Sequence, residues 1–281
     1  MPIVRIVGLT FLAMVAFAAN SILCRMALAD NGMDAASFTA IRLVSGALVL
    51  WTIVQLSPTK KPKGGDWWSA LALFAYAAGF SFAYISLPTA TGALLLFGAV
   101  QATMIGYGLY RGERLSKRQT MGLVVAISGL VGLMLPGLSS PPLTGAILML
   151  AAGIAWGIYS LRGKNAGDPS SVTAGNFLRA APIAVLLALF LFKNISVDTA
   201  GFLYAVASGA LASGLGYSIW YAVLPSLKAT NAATVQLSVP IIAAMGGILF
   251  LGEPLSLRLT IASVAILGGT ALVISEKQHR S

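Results

Sequence analysis

Residues 79–88 read GFSFAYISLP and residues 216–225 read GYSIWYAVLP, with Gly, Ser, Tyr, Leu and Pro in matching places. At the same offset of 137 residues, Gly8 falls on Gly145, Arg25 on Arg162 and Arg42 on Arg179. Further along the offset becomes 140, where GERLSKR (112–118) lies on GEPLSLR (252–258) and Gly129 on Gly269. One half of the chain is a copy of the other.

Composition says what is copied. Of 281 residues, 58% are hydrophobic and 9% charged, against about 25% charged in a soluble domain. Ten apolar runs follow one another near 4–28, 36–57, 67–87, 90–109, 117–135, 143–161, 171–192, 199–224, 229–250 and 257–275. Runs of about 20 such residues cross a ~30 Å hydrocarbon core as helices. The longest gap, PTKKPKGGD at 58–66, is a turn-rich linker. The sequence thus predicts an all-α integral membrane protein of ten transmembrane helices, divided into five-helix repeats over 1–138 and 139–281 that form one membrane domain. Five is odd, so the second repeat enters the membrane from the opposite side. Inverted repeats of this kind support alternating access.

The net charge of +10 follows topology rather than a nucleic-acid partner, which would call for a folded basic face with stacking aromatics. Thirteen basic residues fall on the amino-terminal side: Arg5, Lys60, Lys61, Lys63, Arg111, Arg114, Lys117, Arg118, Arg162, Lys164, Lys228, Lys277 and Arg280. Only Arg25, Lys193 and Arg258 fall on the other. Both termini are then cytoplasmic in a multi-pass protein of the bacterial inner membrane. The first segment carries a cleavage-like Ala16-Phe17-Ala18, but its match to the internal residues 145–162 marks it as a retained helix. Cys24, the single cysteine, excludes an intramolecular disulfide and, without Cys or His neighbours, argues against a metal site.

Five plus five spans, with G-E-x-L-S before the last helix of each half, resemble the EamA-type branch of the drug/metabolite transporter superfamily over the whole chain. Within it the chain is most similar to bacterial amino-acid exporters, the aromatic ones included. The resemblance implies a central cavity lined mainly by spans 1–4 and 6–9, with spans 5 and 10 as scaffold. Phe17-Ala18 departs from the Trp-Gly common there in family members.

The acidic residues all lie in or beside loops, and His279 is near the carboxyl end, so no span holds an evident proton carrier. Catalytic pairs are missing as well: Ser213 in ASGLGYS has no base beside it, and no Gly-rich phosphate loop opens onto a lysine. Neither an enzyme nor a cofactor is expected.

Candidate substrate contacts come from rings and buried amides. Phe80 and Tyr84 share a stripe with Tyr76, and the repeat superposes them on Tyr217 and Tyr221, beside Trp220. Trp156 and Tyr159 in span 6 would close the same space, although aromatic stripes also fill helix contacts. Asn20, Gln101 and Gln236 sit deep in spans and must find partners, as interhelical glue or as contacts to a zwitterion. Arg42 and Arg179 read as structural clamps, with carboxylate binding as the alternative. Glu113 and Glu253 each precede a serine, Ser116 or Ser256, that would cap the next helix. Pro240 with Gly246 in span 9, and Gly98 in span 4, read as bending points of a gate, or as sites of close packing.

Together these features predict a secondary transporter exporting small neutral or zwitterionic metabolites, amino acids with large apolar or aromatic side chains above all. The alternatives are a proton-coupled multidrug or cation exporter and a small-solute channel. The partners are the solute and the bilayer, and a monomer suffices because one chain holds both units.

Overall fold

In lipid every backbone N–H and C=O must be paired within the segment, which leaves helices as the solution for apolar runs of this length. The computed structural model describes residues 2–29, 32–57, 64–112, 114–135, 140–163, 168–191, 195–227, 232 and 235–276. Outside them lie Glu113, His279 and the basic residues Lys60, Lys61, Lys63, Lys164, Lys193, Lys228, Lys277 and Arg280. The described chain is helical, with α1 (Ile3–Leu28), α2 (Ala35–Leu56), α3 (Trp67–Tyr84), α4 (Thr89–Tyr110) and α5 (Lys117–Met134) in the first half. The second half holds α6 (Leu143–Gly163), α7 (Pro169–Phe190), α8 (Thr199–Ser226), α9 (Ser238–Leu251) and α10 (Leu257–Glu276). One isolated antiparallel bridge pairs Met33 with Val197.

Seven described helices are long and apolar enough to cross a membrane: α1, α2, α4, α6, α7, α8 and α10. The other three fall short for identifiable reasons. α3 is diluted by Trp67, Trp68 and its tyrosines, α5 by its opening Lys117-Arg118-Gln119. α9 has only 14 described residues. Large apolar side chains, among them Leu186, Phe190, Leu249, Phe250 and Val264, are exposed, the outward face expected of helices in lipid.

Short polar residues start these helices where the sequence places them. The side chains of Asp34, Asp66, Asp168 and Asp198 accept from N–H groups in the first turns of α2, α3, α7 and α8, satisfying donors that a helix leaves orphaned. Ser116 and Gln119 form a reciprocal capping box on α5, and Ser256 Oγ accepts from Leu259 N–H on α10. The glycine opening each G-E-x-L-S motif has positive φ, +89° at Gly112 and +63° at Gly252, a conformation that a side chain would strain. That turn, closed by Glu253 N–H on Gly247 O, aims Glu253 back toward α1.

Repeat-equivalent helices that touch run antiparallel. Gln119 at the start of α5 donates to Val273 O near the end of α10 (3.1 Å), and Arg258 at the start of α10 reaches Gly132 O and Leu135 O at the end of α5. At one end of α2 and α7, Asp34 N–H before α2 bonds Ser196 O beyond α7, and at the other a Cβ on Gly64, beyond the end of α2, would stand 2.5 Å from Ser171 in the first turn of α7. The end of α9 meets the start of α4 where Glu253 Oε2 accepts from Thr89 N–H at 2.8 Å. Glycines set the spacing of the α5–α10 contact: a Cβ on Gly122 would stand 2.6 Å from Gly269 O, the close approach that small residues allow between membrane helices.

Two details refine the sequence expectation. α8 is not uniformly α-helical, since Ser208–Leu215 wind as a π-helix before α-geometry resumes at Gly216. Pro240 is the third residue of described α9, a position in the first turn where a missing N–H costs little. Residues 235 and 236 are also helical and Leu237 is a turn, so Pro240 lies just beyond a break in the ninth segment; Pro182 lies inside α7.

Candidate functional site

Between the two ends of α3, ten aromatic rings form one connected cluster. On α3, Tyr76 and Phe80 have ring centroids 5.5 Å apart, and Phe80 and Tyr84 4.7 Å. Trp156 of α6 bridges to this row, 4.5 Å from Tyr76, and also meets Tyr159 at 5.4 Å and Tyr217 at 5.5 Å. Tyr217 then contacts Phe17, Phe177 and Tyr221, and Phe17 reaches Trp220. The amphipathic rings thus come from α1, α3, α6, α7 and α8, and they touch one another in this conformation. Among the predicted contacts, Phe80, Tyr84, Trp156, Tyr159, Tyr217 and Tyr221 are brought together.

The predicted amides are not. Asn20 Oδ1 accepts from Ser208 Oγ at 2.8 Å and Ser213 Oγ at 3.3 Å, tying α1 to both ends of the π-helical stretch. Gln101 is buried in α4 and Gln236 is half-buried, and no ring contact or hydrogen bond joins either to the cluster among the described residues. At the proposed bending points, Gly98 has Ile266 3.5 Å from an added Cβ, and Gly246 packs on Ile22.

The two repeat-related arginines part company. Arg179 donates to Gly64 O at 3.1 Å and Gly175 O at 2.8 Å, holding a loop end against α7. Arg42 is 2% exposed and lies among the rings, with Cζ 4.8 Å from the centroid of Phe80 and 5.3 Å from that of Tyr76. Its Nη2 donates to Tyr76 Oη at 2.9 Å, while Nη1 is buried without a hydrogen-bond partner.

An ion pair closes each end of α3. Arg25 of α1 lies 3.4 Å from Glu253 and donates to Tyr84 O and Ile85 O at the end of α3. Its repeat equivalent, Arg162 of α6, pairs with Asp66 at 2.8 Å and bonds Ser69 Oγ at the start of α3. Partial burial pushes the Asp66 carboxyl up, but hydrogen bonds from Ser69 and from Arg162, with the Arg162 charge, outweigh it and hold the carboxyl at about 2. Both pairs join the first half to the second. Each also reaches the rings: Tyr84 Oη donates to Thr89 O beside Glu253, and Asn176 accepts from Asp66 N–H while meeting Tyr159 Oη at 3.5 Å. A cavity of about 370 Å³ adjoins the Glu253 end, lined in part by Ser86, Thr91, Pro142 and Ser256.

The profile of the EamA-like transporter family matches this chain twice, over residues 4–135 and 143–275. The chain belongs to that family. The uncharacterized protein PA1977 of Pseudomonas aeruginosa is 54% identical over all of this chain and 98% of its own. An uncharacterized transporter of Archaeoglobus fulgidus is 25% identical over 96% of both chains. The threonine/homoserine exporter RhtA of Escherichia coli is 34% identical over 56% of each chain. A crystal structure of a protein at 19% identity superposes with a TM-score of 0.64 over 93% of this chain and 96% of its own, a likeness of fold. This EamA-family chain is thus a membrane transporter with multiple apolar helices.

Sequence reasoning did not single out Phe17 and Phe177 as cluster members, and it read Glu253 only as a neighbour of a capping serine. Phe17 was legible as the departure from Trp-Gly in span 1. The partner of Glu253 was not, because Arg25 is remote in sequence and the pairing depends on how the halves meet.

Proposed function

We propose that the protein exports neutral amino acids across the bacterial inner membrane by alternating access between two inverted five-helix units, residues 1–138 and 139–281, with both termini cytoplasmic. The observation that carries this reading is the antiparallel packing of the equivalent helices α5 and α10, α2 and α7, and α4 and α9. Antiparallel equivalents are what an odd number of spans per unit requires, and they support ten spans in all. The two arginine pairs at opposite ends of α3 would then be latches, Asp66–Arg162 on the cytoplasmic side and Arg25–Glu253 on the exterior.

Opening one latch while the other holds would expose the ring cluster to one side at a time, which is the exchange of shapes that inverted repeats permit. Each latch is linked to the cluster through Tyr84 and Thr89 or through Asn176 and Tyr159, so displacement of the rings by solute has a contiguous path to both ends. The rings would accept apolar and aromatic side chains, and kinship with RhtA supports amino acids as the solute class. One chain supplies both units, so a monomer suffices.

The test is counterflow in proteoliposomes with labelled threonine, homoserine, phenylalanine, a sugar and an organic cation, with and without a pH gradient. Amino-acid uptake accelerated by the same amino acid on the far side is expected. Uptake of the cation alone, dependent on the pH gradient, would replace this reading with a multidrug exporter. Flux without trans-acceleration would replace it with a channel.

A further inference from the structure

Arg42 carries a charge that no carboxylate among the described residues neutralises. It is 2% exposed, and the ion pairs among the described residues are Arg25–Glu253 and Arg162–Asp66, so no carboxylate faces it. Tyr76 Oη takes one terminal nitrogen and the faces of Phe80 and Tyr76 flank the guanidinium, but Nη1 has no acceptor. A buried cation is costly unless paired and fully hydrogen-bonded, and ring faces offset only part of that cost. Arg179, at the matching place in the other repeat, is satisfied by two backbone carbonyls. Helix packing therefore does not require an unpaired guanidinium at this position.

We propose that Arg42 is the anchor for a carboxylate on the transported solute, which docks on Nη1 with its apolar part among Phe80, Tyr76 and Trp156. The planar fork suits a carboxylate better than an ammonium would, and a tyrosine-held Nη2 fixes its orientation before the solute arrives. An organic cation is repelled from the same place. This assignment deepens the reading of the ring cluster as the solute site and rests on it, but it concerns carboxylates as a class.

The experiment measures thermal protection of the full-length, detergent-solubilised protein by paired probes: threonine, phenylalanine and phenylacetate against their carboxamides. The wild type is expected to be protected by carboxylates and not by the matched carboxamides. Arg42→Gln should weaken carboxylate protection about tenfold or more, the scale of a lost hydrogen bond to a charged group. Arg42→Lys, with the charge but not the fork, should fall between the two while still ignoring carboxamides. Arg42→Met separates anchoring from packing: without ligand its melting temperature should match or exceed the wild type, since replacing a buried charge by an apolar group of similar length is often neutral or stabilising.

Equal protection by carboxylates and carboxamides in the wild type would overturn the assignment, as would undiminished carboxylate protection in Arg42→Gln. Protection by phenylacetate but by no amino acid would keep Arg42 as an anchor and remove the amino-acid reading. Amino-acid protection that ignores the Arg42 substitutions would do the reverse.

Discussion

Replacing Glu253 by Gln removes one charge from the exterior latch while keeping an amide oxygen to accept from Thr89 N–H, now bonded at 2.8 Å. The ion pair with Arg25 spans 3.4 Å, with side chains 20% and 14% exposed. At an effective dielectric of about 20 the gross attraction is about 5 kcal/mol, and desolvation offsets much of it. Arg25 also retains the carbonyls of Tyr84 and Ile85, so the net loss is about 1–2 kcal/mol, a roughly 5- to 30-fold shift in an opening equilibrium. The reporter is Thr91→Cys, a buried residue lining the cavity beside Glu253, in a Cys24→Ser background. Its labelling by a membrane-impermeant maleimide added outside intact cells should accelerate by that factor in Glu253→Gln. An unchanged labelling rate with unchanged transport would refute the assignment of Arg25–Glu253 as a latch.

The cytoplasmic latch has a pH signature. Asp66 is held at about 2, below its ordinary 3.8, so its contribution is complete above the ordinary value and fades only as pH falls toward 2. Transport measured from pH 8 to 5 should show no titration that Asp66→Asn abolishes. Trp156→Ala removes the ring that bridges Tyr76, Tyr159 and Tyr217; it should raise the KM for amino acids at least tenfold and lower the melting temperature, whereas Trp156→Phe should do neither strongly. Gly122→Ala presses a methyl 2.6 Å from Gly269 O in the α5–α10 contact. Overpacking of this kind costs about 1–3 kcal/mol, so thermal stability should fall while KM stays unchanged.

Helix starts were largely legible because their chemistry is local. The predicted openings at 67, 117, 143, 199 and 257 coincide with those of α3, α5, α6, α8 and α10, where Asp66, Ser116, Asp198 and Ser256 cap the first turns of four of them. In the ninth segment Pro240 marks a local irregularity, and the turn falls at Leu237, three residues before it. Six of the predicted rings do meet, because Trp156 of α6 lies between the aromatic rows of α3 and α8, touching Tyr76 on one side and Tyr217 on the other. Asn20 proved to bond a π-helical stretch that its small residues, SGALASGL, do not announce. The difference between Arg42 and Arg179 was also hidden: residue type and position in the span are the same, and only the neighbours, Tyr76 in one case and the carbonyls of Gly64 and Gly175 in the other, separate them.

The most direct test of two inverted units working in alternation is a pair of pulsed-EPR distances, one across Arg25–Glu253 and one across Asp66–Arg162, recorded with and without a transported amino acid. Reciprocal change is expected, with one end lengthening in the population in which the other shortens. Both ends opening together, or neither responding to the amino acid, would contradict it.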